Sequence, residues 1–123
     1  MNAQLTKGAL GLMADAVGSA LAKAGMMRLY AGRRGGEATM LGEIAFPKQY
    51  QRDGSVIKFG EFSTAKAVAT GDASWYAAVT DSGKLLEGSV GKSDADLLVD
   101  DPRIYAGMEL TLEGFEYNLR LGA

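Results

Sequence analysis

The chain has 123 residues, 13 basic and 15 acidic side chains, a formal charge of −2 and 47% apolar content, the composition of one globular domain that can bury its own core. It contains neither Cys nor His, which excludes disulfides, thiolate nucleophiles, zinc–thiolate clusters and the usual general base near neutral pH. The slight acidic excess also runs against nucleic-acid binding, which needs surplus Lys and Arg to neutralise phosphates.

No apolar run reaches the ~20 residues that span a bilayer, and residues 5–24 carry Asp15 and Lys23. Gly8, Gly11, Asp15 and Gly18 interrupt the same stretch, so neither a membrane anchor nor a secretory signal is expected, and synthesis in the cytoplasm is. Leu5, Leu10, Met13, Val17 and Leu21 recur at the spacing of one helix face, which predicts an amphipathic N-terminal helix over residues 1–24. Thr6 stands where a cap is wanted and Gly25 where a left-handed terminating residue is wanted.

After Gly25 the period changes from near 3.6 to 2, and residues 26–123 read as a β-sandwich. Met27, Leu29 and Ala31 share one face of the first strand, with Arg28 and Tyr30 opposite; Gly32-Arg33-Arg34-Gly35-Gly36 follows as a turn. Met40, Gly42, Ile44 and Phe46 share a face of the next strand, which Pro47 ends because it has no N–H for a ladder. Residues 48–55 read as a polar loop with a tight turn at Asp53-Gly54, followed by weaker strands over 56–62 and 65–70.

Trp75, Ala77 and Val79 alternate with Tyr76, Ala78 and Thr80; the turn Asp81-Ser82-Gly83-Lys84 and a return over Leu85–Val90 complete a hairpin. The bulk of Trp75 predicts that it points inward and that Tyr76 is the surface or interface aromatic. Residues 97–99 form a short strand. Met108, Leu110 and Leu112 open the last one, and apolar parity then switches to Phe115, Tyr117, Leu119 and Leu121, which predicts a bulge at Gly114. Seven to nine strands with one apolar face each are expected to pack as two antiparallel sheets, a sandwich or jelly roll with one N-terminal helix.

Glycine, at 17 residues, is about twice as frequent as the ~7% of an average chain, as suits many turns and close backbone approaches. The Arg33-Arg34 turn lacks the Lys-Ser/Thr ending of a phosphate loop. It suits a solvated hairpin turn or carboxylates on a neighbouring subunit, for which planar guanidinium forks are well shaped. Asp94, Asp96, Asp100 and Asp101 crowd eight positions but lack the Gly and Glu of an EF-hand loop, so turn capping is expected and no metal. No pair among the acids stands out for glycosidase chemistry, and no catalytic residue or cofactor is expected.

Residues from Ser74-Trp75-Tyr76 through Gly88-Ser89-Val90-Gly91, followed by Ser93-Asp94-Ala95-Asp96-Leu97, resemble a pattern in small structural proteins of tailed-bacteriophage virions. Met27-Arg28-Leu29-Tyr30-Ala31-Gly32, Leu41-Gly42-Glu43-Ile44-Ala45-Phe46 and the Ile104–Gly107 segment resemble further parts of it, so the likeness covers most of the chain. The final strand departs from the family norm in its charge, at Glu109, Glu113, Glu116 and Arg120.

The resemblance implies a virion structural protein with no catalytic residue to carry over. The expected role is capsid decoration, a cement protein on the outer head surface that holds major capsid protein subunits together and associates with copies of itself as a dimer or trimer. Partner-binding candidates are Arg33, Arg34, Tyr30 and Tyr76, with Leu10 and Val17 on the helix. A neck or tail position is the first alternative. A carbohydrate- or ion-binding sandwich using Tyr76, Tyr105 and the Asp94–Asp101 acids is the second.

Overall fold

A computed structural model describes residues 6–119. Its elements in chain order are α1 (Lys7–Ala24), β1 (Met26–Gly32), β2 (Ala38–Ala45), β3 (Gln51–Asp53), β4 (Val56–Phe59), β5 (Ala65–Lys66), β6 (Gly71–Asp72), β7 (Trp75–Thr80), β8 (Gly83–Gly91), β9 (Leu97–Leu98), β10 (Arg103–Ile104), β11 (Glu109–Leu110) and β12 (Phe115–Asn118). The chain is mainly β with one N-terminal helix, in a sandwich-like arrangement of several sheets. The larger sheet has the order β2-β1-β7-β8-β9 and the smaller β12-β4-β3; β10-β6 and β11-β5 form two-stranded ribbons. All pairings are antiparallel except β8–β9, which is parallel, a departure from the expected wholly antiparallel sandwich. Twelve strands among the described residues exceed the expected seven to nine, because several two-residue bridges lie in segments too short to show a period.

Thr6 caps α1 as predicted, its side-chain oxygen accepting a hydrogen bond from the Ala9 N–H at 3.1 Å. Of the predicted row of large residues, Leu21 is fully buried and Val17 packs against the core, but the rest of the buried helix face is made by small residues. Gly11, Ala14, Gly18, Leu21 and Ala22 are buried, whereas Met13 is 40% and Leu12 73% exposed. The reason lies in what faces the helix. A Cβ at Gly18 would sit 2.7 Å from the Tyr50 ring and 3.1 Å from Ile57, and one at Gly11 would sit 2.7 Å from the Arg52 guanidinium. Between those glycines, Asp15 pairs with Arg52 at 2.9 Å and accepts the Tyr50 hydroxyl at 3.1 Å. The small residues admit β3 and its polar side chains close to the helix axis.

Gly25 is extended (φ −82°, ψ 146°) and not left-handed, because β1 continues directly from the helix. Its glycine is required by proximity, since a Cβ there would lie 2.5 Å from the Leu21 carbonyl oxygen.

Met27 and Leu29 point inward from β1, as predicted. Gly42, Ile44 and Phe46 do so from β2 and its end, but Met40 is replaced on that face by Leu41, fully buried, because the β1–β2 register slips by one residue there. The segment read as a polar loop contains β3, whose exposed Gln51, Arg52 and Asp53 hide the periodicity of a strand, and Gly54 turns with φ 62°. At Gly114 the predicted bulge is a change of sheet: β11 pairs with β5 and β12 with β4. Leu110, Leu112 and Phe115 are all buried, so the parity switch marks the chain crossing the core. Met108 remains 40% exposed. The expected Leu5 and Leu121 core positions lie outside the described residues.

Alanine at Gly18 is expected to overpack the Tyr50 contact by about 1–3 kcal/mol, outweighing its gain of about 0.5–1 kcal/mol in helix propensity. Gly8→Ala meets nothing nearer than Thr6 at 3.7 Å and should show that gain alone. Urea unfolding with an unchanged m-value reads both; midpoints moving in the same direction would contradict this packing.

Candidate functional site

Alternation along the large sheet gives it two chemically distinct faces. Met27, Leu29, Tyr76, Ala78, Leu86 and Val90 enter the core, so Arg28, Tyr30, Trp75, Ala77, Glu87 and Ser89 lie on the other side. On this outer face Tyr30 and Trp75 are direct cross-strand neighbours, and their rings stack at 4.1 Å with an 8° interplanar angle. Stacked aromatic pairs of this kind contribute beyond their buried area.

Ion pairs lie on both sides of the next cross-strand row, the one that holds Ala77. Arg28 Nε donates to Glu43 at 3.1 Å across β1–β2, and Lys84 pairs with Glu87 at 2.6 Å along β8. The hydrogen bond to Glu43 is the main influence raising the Arg28 pKa, with Tyr30 second. Such half-exposed pairs add little stability, but they keep the charges beside the aromatic patch oriented. Ala77, 2% exposed, lies between them opposite Arg28 and Glu87.

Tyr30 thus stands where the sequence placed it, and Arg33 and Arg34 are exposed at the tip of the same β1–β2 hairpin. Gly32 and Gly35 turn that tip with φ 94° and 81°, and Arg33 closes it by exchanging backbone hydrogen bonds with Glu37 and Gly36. Val17 packs against the core and Leu10 is half-buried. Their helix faces β3, β4 and the inner side of β7, so the structure does not bring them to Tyr30.

Tyr76 corrects the expectation for the hairpin aromatics. It is 0% exposed, and Trp75, not Tyr76, lies on the outer face. Bulk is the wrong guide here because the cross-strand neighbour decides. Tyr76 pairs with Gly88, where a Cβ would come within 2.7 Å of its ring; the missing side chain is what lets the tyrosine lie inward across β8. Phe115 meets that ring edge-on at 5.5 Å. The Tyr76 hydroxyl and the Trp75 indole N–H are both buried without a hydrogen-bond partner among the described residues.

The acidic stretch is used in turns. Asp96 accepts from the Ser89 N–H at 2.9 Å while its own N–H donates to Ser89 Oγ at 3.0 Å, and Asp101 accepts from the Arg103 N–H at 3.0 Å. Among the described residues no three acidic side chains converge as metal ligands. Tyr105 is exposed with the Arg103 guanidinium 5.3 Å from its ring centroid, and buried Tyr76 shares no surface with it. No helix among the described residues is long and apolar enough to cross a membrane.

Sequence reasoning missed a cleft of about 360 Å³ beside the ribbon strands. Core residues Leu29, Ile44, Ile104 and Leu110 form its floor, and exposed Leu98 and Met108 stand at its mouth with Asp100, Asp101, Glu109 and Glu113. β1 and β2 supply Leu29 and Ile44 to the floor, but the mouth is built from β9, β11 and their flanking loops, which have no period of their own; only the unusual charge of the final strand pointed to it. Comparison with protein-family models, curated proteins and solved structures finds no match to the chain.

Burial raises the Tyr76 hydroxyl pKa above its ordinary 10.0, with Asp96 and Tyr117 adding to the effect. The fold therefore favours the neutral form. Its contribution is fully present below about pH 10 and is lost as pH rises further, because the unfolded hydroxyl ionises first. Tyr76→Phe should leave the core intact, stabilise the protein on the order of 1 kcal/mol at pH 7 by removing an unpartnered hydroxyl, and flatten the alkaline loss. Tyr50, raised by burial and by Asp15, keeps part of that loss in the variant. Denaturation curves at neutral and alkaline pH measure both effects.

Proposed function

We propose that this chain is a capsid decoration protein of a tailed bacteriophage, seated on the outer surface of the head and bridging neighbouring major capsid protein subunits. Two things support the reading: the resemblance along residues 27–32, 41–46, 74–91, 93–97 and 104–107 to small virion structural proteins, and the geometry of the outer sheet face. The observation that carries it is the Tyr30–Trp75 stack, held in cross-strand register on the outer face of the large sheet with both residues half-exposed. Aromatic side chains fixed in advance lose little freedom on docking, which is why they dominate binding energy at protein interfaces.

The work such a protein does is mechanical. A shell filled with DNA is under outward load, and a domain that binds the assembled surface more tightly than the separated subunits stabilises the assembled state by mass action, about 2.7 kcal/mol per site at a free concentration 100-fold above Kd. Repeated at symmetry-related seams, modest contacts sum to a large effect. No reacting group is called for.

Purified chain mixed with expanded, undecorated heads of the encoding phage should co-sediment with them and raise their disruption temperature. Tyr30→Ala should weaken that binding at least tenfold, equivalent to about 1.4 kcal/mol, with the free protein still folded by circular dichroism. Wild-type chain left in the supernatant at saturating concentration would refute the assignment. Copy number in purified virions separates the positions: hundreds per particle support the head, and a single ring's complement places the same face in the neck or tail.

A further inference from the structure

The cleft below Leu98 and the Arg33-Arg34 turn are chemically complementary. The cleft offers an apolar floor reaching Leu29 and Ile44, two exposed apolar side chains at its mouth, and four carboxylates on its rim. Of these, Asp101 is partly engaged by the Arg103 N–H, and Lys66 stands opposite Glu109 in the β5–β11 pair; Asp100 and Glu113 have no ion pair among the described residues. Arg33 and Arg34 are exposed on a slim tip where Gly32, Gly35 and Gly36 add no side chains, and neither guanidinium has an ion-pair partner among the described residues. An arginine fits such a mouth in both its parts, with its alkyl stem against Leu98 and Met108 and its planar fork on carboxylates.

The two features also sit close together. The Ser74 hydroxyl donates to the Gly32 carbonyl at 2.7 Å, at the base of the hairpin tip, and the neighbouring Ala73 N–H donates to the Pro102 carbonyl at 2.8 Å, next to Asp101. A face carrying a basic projection beside an acid-rimmed apolar cleft is self-complementary in the way a two-fold interface must be.

We propose that two copies of this chain pair reciprocally, each inserting its Arg33-Arg34 turn into the cleft bounded by Leu98, Asp100, Met108, Glu109 and Glu113 of the other. The pairing is made twice per dimer. Its charged component weakens as the screening length falls with added salt, and it leaves the Tyr30–Trp75 face of each copy outside the contact. This inference stands apart from the capsid assignment, since it concerns the free protein.

Sedimentation equilibrium of the purified chain at ~0.01 M and ~0.15 M ionic strength, where screening lengths are about 30 and 8 Å, reads the association. The wild-type chain is expected to be dimeric at low salt with a weaker constant at higher salt. Two charge-reversed proteins, Arg33→Glu with Arg34→Glu and Asp100→Lys with Glu113→Lys, should each be folded monomers. An equimolar mixture of the two should recover dimer, because each reversed turn then meets a reversed cleft and each native turn a native one. A wild-type chain that stays monomeric at low salt, reversed variants that dimerise unchanged, or a mixture that fails to recover the dimer would each overturn the pairing. A monomeric chain that still binds heads would overturn this inference alone.

Discussion

Phe46 stands where the two main sheets meet, and its ring is the contact on which their mutual position depends. It lies 4.9 Å from Phe59 of β4, 5.0 Å from Phe62 and 5.9 Å from Phe115 of β12, the first and last edge-on. Phe115 in turn meets Tyr76 of the large sheet. Losing one such ring from a core costs about 3–5 kcal/mol, a large share of the ~5–15 kcal/mol that separates folded from unfolded domains. The backbone fixes the ring as well: the Phe46 N–H donates to the Gly25 carbonyl at 3.1 Å, tying the end of β2 to the helix–strand junction. Pro47 directly after it stops β2, so the side chain enters the core at the point where the strand leaves the sheet.

That arrangement explains which parts of the architecture were legible in the amino-acid order. Long strands announce themselves, and β1, β2, β7 and β8 are readable because each runs six or more residues, although the β1–β2 and β7–β8 registers each slip once. Two-residue bridges such as β6 and β10 have no period to read. Side-chain size points to the wrong inward face of the β7–β8 hairpin, because the vacancy at Gly88 decides it. The helix misled in the same way. Its large residues were expected inward, yet it is the absence of side chains at Gly11 and Gly18 that lets Arg52 and Tyr50 reach it. In both cases a glycine's meaning depended on a partner distant in sequence. Of the binding candidates, Tyr30 was legible from alternation alone, and the cleft was not, because strands distant in sequence assemble it.

The two faces of the large sheet carry different kinds of side chain. Large aromatic side chains inside set the angle between sheets, while Tyr30 and Trp75, drawn from the same two strands that carry Leu29 and Tyr76 inward, face out. The outer aromatic pair is thus set by the same backbone register that places the core residues. The turn beyond Tyr30 extends the same strand into charge, so apolar and ionic surfaces follow one another along a single hairpin.

The sheet margins carry one more consequence. A bare strand edge invites any passing chain to add to it, and three of the four margins of the two main sheets, β2, β9 and β3, are blunted, each by a different means. Leu41 on β2 already gives its carbonyl to the Val68 N–H at 2.8 Å, β9 is two residues long, and β3 presents only Gln51, Arg52 and Asp53. Copies that approach one another along those three margins would therefore meet through their side chains and not by backbone zippering.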